Sequence, residues 1–345
     1  MIKKVGRITE KSPPKGKGNG KMEIREMIAE IKEKLDARGG LKAVIFVGCG
    51  GSQAAIYPGK YLLESEAKNI SVKIYNSNEF CYVTPKCVDE RCIVICCSLK
   101  ATAETVKAVE KANALGAITI AMTGSMSTGM AKVGQYVVTY SNGDEQIYSQ
   151  SNQSMSLRIG FELLHQFEAY PLYDAAMAAF GEIDGIIAES KESMLPAAKK
   201  FAEDFKGDTL FQVLGAGPLY GTAYSLANCH LMEMDWKNAI MIHSGEYFHG
   251  PFEMTTKDQA MILLMSTGRS RFLDERVLKF LNSYAGHVLV IDAKDTGIEK
   301  RIDPRIAEFF NSVVMIPLER FFVYQLAQLT GHSFDDRHYM WKVEY

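Results

Sequence analysis

The chain has 345 residues, 47% hydrophobic and 23% charged, the balance of an ordinary globular protein with room for about two domains. A formal net charge of −2 supplies no overall field favouring nucleic acid or an acidic membrane, so neither is expected as a partner and any anion recognition has to be local. No apolar run approaches the roughly 20 residues that span a bilayer, and the N-terminus lacks the apolar core of a secretory signal.

In chain order, residues 1–22 are basic and broken by "SPPKGKGNGK", which reads as a flexible tail; "GKGNGK" lacks the order of a nucleotide-binding P-loop. Residues 23–38 place Ile24, Met27, Ile28, Ile31 and Leu35 on one helical face, and Gly39-Gly40 end the helix. "KAVIFVGCGGS" is a buried strand entering a glycine turn, followed by a helix over "AAIYPGKYLLESEAK". "SVKIYNS" and "RCIVICCS" are strands, "AETVKAVEKANALG" a helix, and "AITIAMT" and "YVVTYS" two more strands. The second half starts again with "TLFQVLGAGPLYG", a long helical stretch to about Asp235, strands "AMILLMS" and "HVLVIDA", and the helix "LDERVLKFLNSY" between them. Strands alternating with helices predict a parallel α/β sheet. The halves also align: Gly48 with Gly215, Ser77 with Ser244 and Glu79 with Glu246 at an offset of 167, and Ser98 with Ser266 at 168. The expectation is an internal duplication, with a boundary in the helical region near residues 180–205.

The seven cysteines are odd in number, and Cys92, Cys96 and Cys97 lie in apolar sequence. That pattern reads as reduced thiols in a cytoplasmic protein. Cys81, Cys87 and Cys92 form no CxxC pair, and His243 and His249 are six apart, so no metal site is expected. In "GCGGS" the third glycine of the dinucleotide fingerprint would fall on Gln53, so no nicotinamide cofactor is expected either. No G-x-S-x-G nucleophile elbow occurs.

Two clusters carry chemistry. After strand "RCIVICC", the sequence "SLKATAET" sets Ser98, Lys100, Thr102 and Thr105 at the start of a helix and at the carboxyl end of a parallel strand, where phosphate groups bind. Ordinary N-capping accounts for one hydroxyl, not for three with an ammonium. Ser52 lies at the same sheet edge. The second cluster is Glu233, in "CHLMEMDW", with Glu246 and His249 in "SGEYFHGPFE". A carboxylate flanked by Met232, Met234 and Trp236 is poorly hydrated, a setting for a general base, although a solvent-edge helix end reads equally well. The His249-Gly250-Pro251 turn can expose an imidazole that Glu246 orients by hydrogen bond.

At these residues the chain resembles the sugar isomerase (SIS) domain family, in which a helical glutamate is followed sixteen residues later by His-Gly-Pro, as Glu233 is by His249. Within the family it is most similar to the deglycases of 6-phosphorylated Amadori compounds, the 6-phosphofructose-aspartate and fructoselysine-6-phosphate deglycases. The segments "CGGSQAAIYPGKYLLE", "YNSNEF", "IHSGEYFHGPFE" and "RHYMWKVEY" carry the resemblance, over about residues 25–345. It implies two tandem SIS domains, 23–185 and 186–345, each a flavodoxin-like parallel sheet flanked by helices, with a C-terminal active-site tail. It also implies Glu233 and His249 as the acid–base pair with Glu246 beside them, and phosphate on Ser98, Lys100, Thr102 and Thr105 with Ser52 on the turn. It further implies a homodimer in which the histidine of one subunit completes the other's site, and a reaction that needs no cofactor.

Two departures stand out. The loop after Ser98 is one residue shorter than in the relatives and carries Ala101 near a usual glycine. The lysine that opens the sugar ring in the family's glucosamine-6-phosphate synthase falls near Tyr339, with Lys342 in another register, and the sequence opens Met1-Ile2 rather than on that enzyme's nucleophilic cysteine. The expected activity is hydrolysis of a fructose-amino acid 6-phosphate to glucose 6-phosphate and an amino acid through an enaminol and an imine. An aldose–ketose isomerase of hexose phosphates and a non-catalytic sugar-phosphate sensor are the alternatives.

Overall fold

The computed structural model describes residues 22–141 and 146–344. All of the basic stretch read as a tail, apart from Met22, lies outside them. Helix α1, Ile24–Asp36, buries Ile24, Met27, Ile28, Ile31 and Leu35, the face its spacing predicts. It stops at Gly39 and Gly40, both at φ +90°, a conformation that ends helices because only glycine adopts it without strain. Strand β1, Ala43–Val47, is wholly buried and turns through Gly48–Gly50 into α2, Gly51–Glu66.

Strands β2 (Ser71–Tyr75), β3 (Cys92–Ser98), β4 (Ile118–Thr123) and β5 (Tyr136–Thr139) complete the first sheet, with helices α3 (Ser77–Tyr82), α4 (Ala103–Ala114) and α5 (Gly129–Val133) between them. The order is β2-β1-β3-β4-β5 and every pairing is parallel, Ala43 lying opposite Ser71 on one side and Cys92 on the other. A parallel strand covered on both faces has no polar side to show, which is why "CIVICC" reads as an unbroken apolar run.

Helices α6 (Asn152–Glu168), α7 (Tyr173–Ala179) and α8 (Ile183–Phe205) lead to the second sheet. The boundary read at 185/186 falls in the first turn of α8. The second sheet contains β6 (Leu210–Gly215), β7 (Asn238–His243), β8 (Ala260–Met265) and β9 (Val288–Asp292), all parallel, in the order β7-β6-β8-β9. Helix α9, Tyr220–Ser225, runs directly into a π-helical stretch, Leu226–Met234. Helices α10 (Arg271–Tyr284), α11 (Ile298–Arg301) and α12 (Ala307–Thr330) complete the α-helices among the described residues.

Strand β7 was not expected from the sequence. It is an edge strand in which Asn238 and Ile240 are exposed and only Ile242 is buried, and its apolar run, residues 239–242, is four residues long and follows closely on the helical stretch before it. Its order in the sheet matches that of β2 in the first. The strand starts Ser71 and Asn238 are 167 apart, and Cys92 and Ala260 are 168 apart.

The largest apolar cluster runs through helices of both halves: Phe161 of α6 meets Phe309 and Phe310 of α12 at ring distances of 6.2 and 5.8 Å. α12 is apolar on nearly its whole circumference, as a helix enclosed by protein must be. This shared core holds the carboxyl ends of β1 and β3 in fixed relation to the π-helical stretch, and those are the parts that build the site. Among the described residues no helix is long and apolar enough to cross a membrane.

Candidate active site

The loop that follows β3 is a ring of hydroxyls. Ser98 Oγ accepts the Thr102 N–H at 3.1 Å; Thr102 Oγ1 lies 3.1 Å from Thr105 Oγ1, which lies 2.8 Å from Ser77 Oγ. Thr123 braces the loop from β4 by donating to the Ser98 carbonyl at 2.9 Å. Ala101 takes φ +53°, a left-handed backbone that favours glycine, although it carries a Cβ. Ser98 is 5% exposed, whereas Thr105 is 1% exposed and engaged on both sides. Thr105 therefore braces the ring, and the open edge belongs to Thr102, Lys100 and the loop backbone. Ser52, in the first turn of α2, lies beside the buried Cys97 and Tyr140, whose thiol and hydroxyl are 3.7 Å apart. Burial pushes the Cys97 thiol up to about 12, so it is an inert filler and not a nucleophile.

The glycine turn joins this ring to the second cluster. Gly50 has φ +53°, and a Cβ on Gly51 would stand 3.6 Å from Cys229 Sγ in the π-helical stretch. Glu233 lies one turn beyond Cys229. π-Helical turns are uncommon and gather at functional sites, because the extra residue per turn re-aims a side chain.

The Glu233 carboxylate is not in the apolar pocket its neighbours suggested. Met232 and Trp236 are 37% and 40% exposed, and the carboxylate is instead ion-paired. Arg337, only 8% exposed, donates to Glu233 Oε1 from Nε at 3.1 Å and approaches the same oxygen with Nη2 at 3.0 Å. Among the described residues Oε2 has no hydrogen-bond partner, which leaves it for a substrate proton.

The C-terminal tail delivers Arg337. His332 Nε2 bonds the Met234 carbonyl at 2.8 Å, and the Trp236 ring stacks on His338 at 3.6 Å. Beyond Arg337, Trp341 lies under Lys100, whose ammonium is 3.7 Å from the indole centroid, and the Arg337 guanidinium carbon is 5.7 Å from the same ring. The hydroxyl loop and the Glu233 carboxylate are thus joined in one chain through Lys100, Trp341 and Arg337. Lys342 turns away to the Arg337 carbonyl, and Tyr339 is 71% exposed.

Glu246 and His249 stand apart. Both are exposed, on the turn after β7, and only a backbone bond joins them, His249 N–H to Glu246 carbonyl at 2.9 Å. The expected side-chain bond between them is absent among the described residues, as is any polar contact from His249 to Glu233 or the hydroxyl loop. Gly250, at φ +132°, forces the chain round after His249, and the buried Tyr247 anchors the turn. Glu246 lines a shallow cleft of about 350 Å³ with Tyr57, Tyr220 and His243. Burial pushes the His243 imidazole down, against the pull of Glu246.

No family model matches the chain. The chain is 34% identical over 324 residues to fructosamine deglycase FrlB of Bacillus subtilis (strain 168), covering 94% of this chain and 97% of that protein. It is 26% identical over 323 residues to fructoselysine 6-phosphate deglycase of Escherichia coli (strain K12), covering 91% and 89%. A solved Salmonella typhimurium LT2 protein assigned to the phosphosugar isomerases superposes with a TM-score of 0.88 at 35% identity, covering 93% of this chain and 98% of that one. The chain belongs to the SIS-fold phosphosugar deglycase family.

In this family member the second half repeats the hydroxyl ring with one change of sign. Ser244 Oγ and Ser266 Oγ donate to the Asp274 carboxylate at 2.7 and 3.2 Å, and the Ser266 N–H does so at 3.2 Å. Ser77 and Ser98 are their counterparts, and where Ser77 meets the Thr105 hydroxyl, Ser244 meets a carboxylate. Burial pushes Asp274 up to about 6. Arg269 is likewise taken, by Glu66 at 3.0 Å and Glu308 at 2.6 Å. The second ring is filled by the chain's own anion, whereas the first faces Lys100.

Proposed function

We propose that this protein is a deglycase of 6-phosphorylated Amadori compounds, converting a fructose-amine 6-phosphate and water to glucose 6-phosphate and the free amine. One observation carries the reading: a carboxylate held by a guanidinium, Glu233 with Arg337, joined through Trp341 to a lysine on a hydroxyl-lined loop. The names of the relatives support the substrate class.

In the proposed reaction Ser98, Thr102, Lys100 and the N–H groups opening α4 hold the phosphate, with Thr105 and Ser52 bracing them. Glu233 Oε2 removes a proton from C1 of the open-chain ketosamine, the C2 carbonyl oxygen takes up a proton, and the C1–C2 enaminol forms. Return of the proton at C2 leaves a C1 imine; water adds at C1, the C1–N bond breaks, and the amine departs with the proton. Every step is a proton transfer or the addition of water, so the chemistry calls for no cofactor. The exposed His249, with Glu246 beside it, serves a neighbouring site in this proposal, reaching the Glu233 of a second copy in a homodimer and exchanging protons with the sugar oxygens or the leaving nitrogen. The two halves act as tandem SIS domains, 23–185 and 186–345, and the free thiols suit a cytoplasmic setting.

The test is a coupled glucose 6-phosphate assay on 6-phosphorylated fructosyl-aspartate, fructosyl-lysine and glucosyl-lysine. General acid–base groups typically supply about 10²–10⁴ in rate, so Glu233→Gln and His249→Ala each lose at least about a hundredfold in kcat with the fold intact. Mixing the two inactive variants restores part of the activity if sites are shared between copies. Near wild-type rates from either variant refute the assignment.

A further inference from the structure

We propose that Arg337 is the positioning residue of the Glu233 base, and that the C-terminal tail carrying it is coupled to the hydroxyl loop through Trp341 and Lys100. The inference rests on the phosphate reading of that loop given above.

The guanidinium is fixed from behind before it meets Glu233. Its Nη1 donates to the carbonyls of Phe334 and Asp336 at 2.6 and 2.7 Å, so the turn of the tail sets its plane. Nε and Nη2 then face one carboxylate oxygen, and the other is left to the substrate. A planar fork held on one edge and presenting the other can orient a carboxylate in a way a single ammonium cannot. The tail in turn is seated on α12 and on the residues just after Glu233: Phe334 is 9% exposed against Tyr324, at a ring distance of 5.5 Å, and His332 and His338 flank Trp236. Base and tail are one assembly.

Trp341 is where that assembly senses the loop. It is 61% exposed and holds φ +61°, a strained conformation for a tryptophan that its neighbours have to support. Lys100 is one of those neighbours. An ammonium resting on an indole at an exposed site is held weakly, and a charge-assisted bond to phosphate is stronger. A phosphate arriving on the loop draws Lys100 from the ring and removes one support of the tail, so occupancy of the loop is communicated to the residue that aims the base.

The experiment has two arms. In the kinetic arm, Arg337→Ala lowers kcat about 10–100-fold, the scale of a misplaced catalytic group, with KM changed less than about threefold. Added guanidinium ion restores several-fold of the loss, and Arg337→Lys, a milder variant should the alanine fail to fold, falls between. A purely structural role predicts a loss that guanidinium leaves untouched, or one confined to KM, and either result overturns the positioning claim. In the second arm, glucose 6-phosphate is titrated against tryptophan emission with no turnover required. Wild type gives a saturable change that Trp341→Phe and Lys100→Met both lack; an equal response in Trp341→Phe, or no response in wild type, overturns the coupling. Absence of deglycase turnover in the wild type, with the emission change intact, would count against the proposed reaction and not against the coupling.

Discussion

Asp235, two residues after the proposed base, is the group in this fold that is most out of place, and replacing it has a calculable result. The side chain is 3% exposed, and neither carboxylate oxygen has a hydrogen-bond partner among the described residues. Burial pushes its pKa from 3.8 to about 6, opposed only by Lys237 and His332. A difference of about 2 pH units at ~1.36 kcal/mol each means the ionised carboxylate weakens the folded state by at most about 3 kcal/mol. The sign follows from the direction. A carboxyl whose folded pKa lies above its unfolded value leaves stability intact below about pH 4, and that stability is lost as pH rises through about 6. Asp235→Asn keeps the shape and removes the charge, so the variant gains at pH 7.5 and not at pH 4. With an unfolding entropy of ~2.1 cal/mol/K per residue, the gain reaches at most about 4 °C in melting temperature at pH 7.5. Asp274 is pushed up by burial in the same way, but it is present in both proteins and cancels in the difference. Thermal melts of both proteins from pH 4 to pH 8 measure it. A variant that is no more stable at pH 7.5, or is stabilised equally at both ends, would refute the reasoning, because it would mean the carboxylate is paid for by interactions not seen here.

Two further outcomes follow from the loop. Lys100→Met raises KM for the phosphorylated substrate about 10–100-fold, the equivalent of a charge-assisted hydrogen bond of ~1.5–3 kcal/mol, as steady-state kinetics would reveal; an unchanged KM would show that Lys100 does not meet the phosphate. Ala101→Gly is tolerated because φ is already +53°, whereas the β-branched Ala101→Val loses about 1–2 kcal/mol of stability in urea melts and weakens phosphate binding with it; equal behaviour of the two variants would show that the left-handed turn is not needed.

Much of the architecture could be read from local sequence because local physics decides it. The five buried residues of α1 sit at helical spacing, and the apolar runs of β1, β3, β6 and β8 mark strands covered on both faces. Part of the hydroxyl ring was legible too, since Ser98, Thr102 and Thr105 lie within one loop and one helical turn, whereas Ser77 joins it from α3, far back in the chain. Strand β7 escaped because its apolar run, residues 239–242, is short and sits close behind a helix, and the π-helical stretch escaped because its residues have no pattern distinct from an α-helix.

What the sequence by itself determined is the set of chemical groups: a helical carboxylate, an imidazole on a glycine-proline turn, and a hydroxyl-rich loop with one lysine. What only the tertiary structure decided is which of them meet. Arg337 and Glu233 are 104 residues apart and Lys100 and Trp341 are 241 apart, and no local periodicity encodes contacts at that range. They are made because α12 packs into the common core and carries the tail back across the mouth of the first sheet. His249 stays exposed on the turn after β7, and α10 brings Asp274 to Ser244 so that the second ring supplies its own anion.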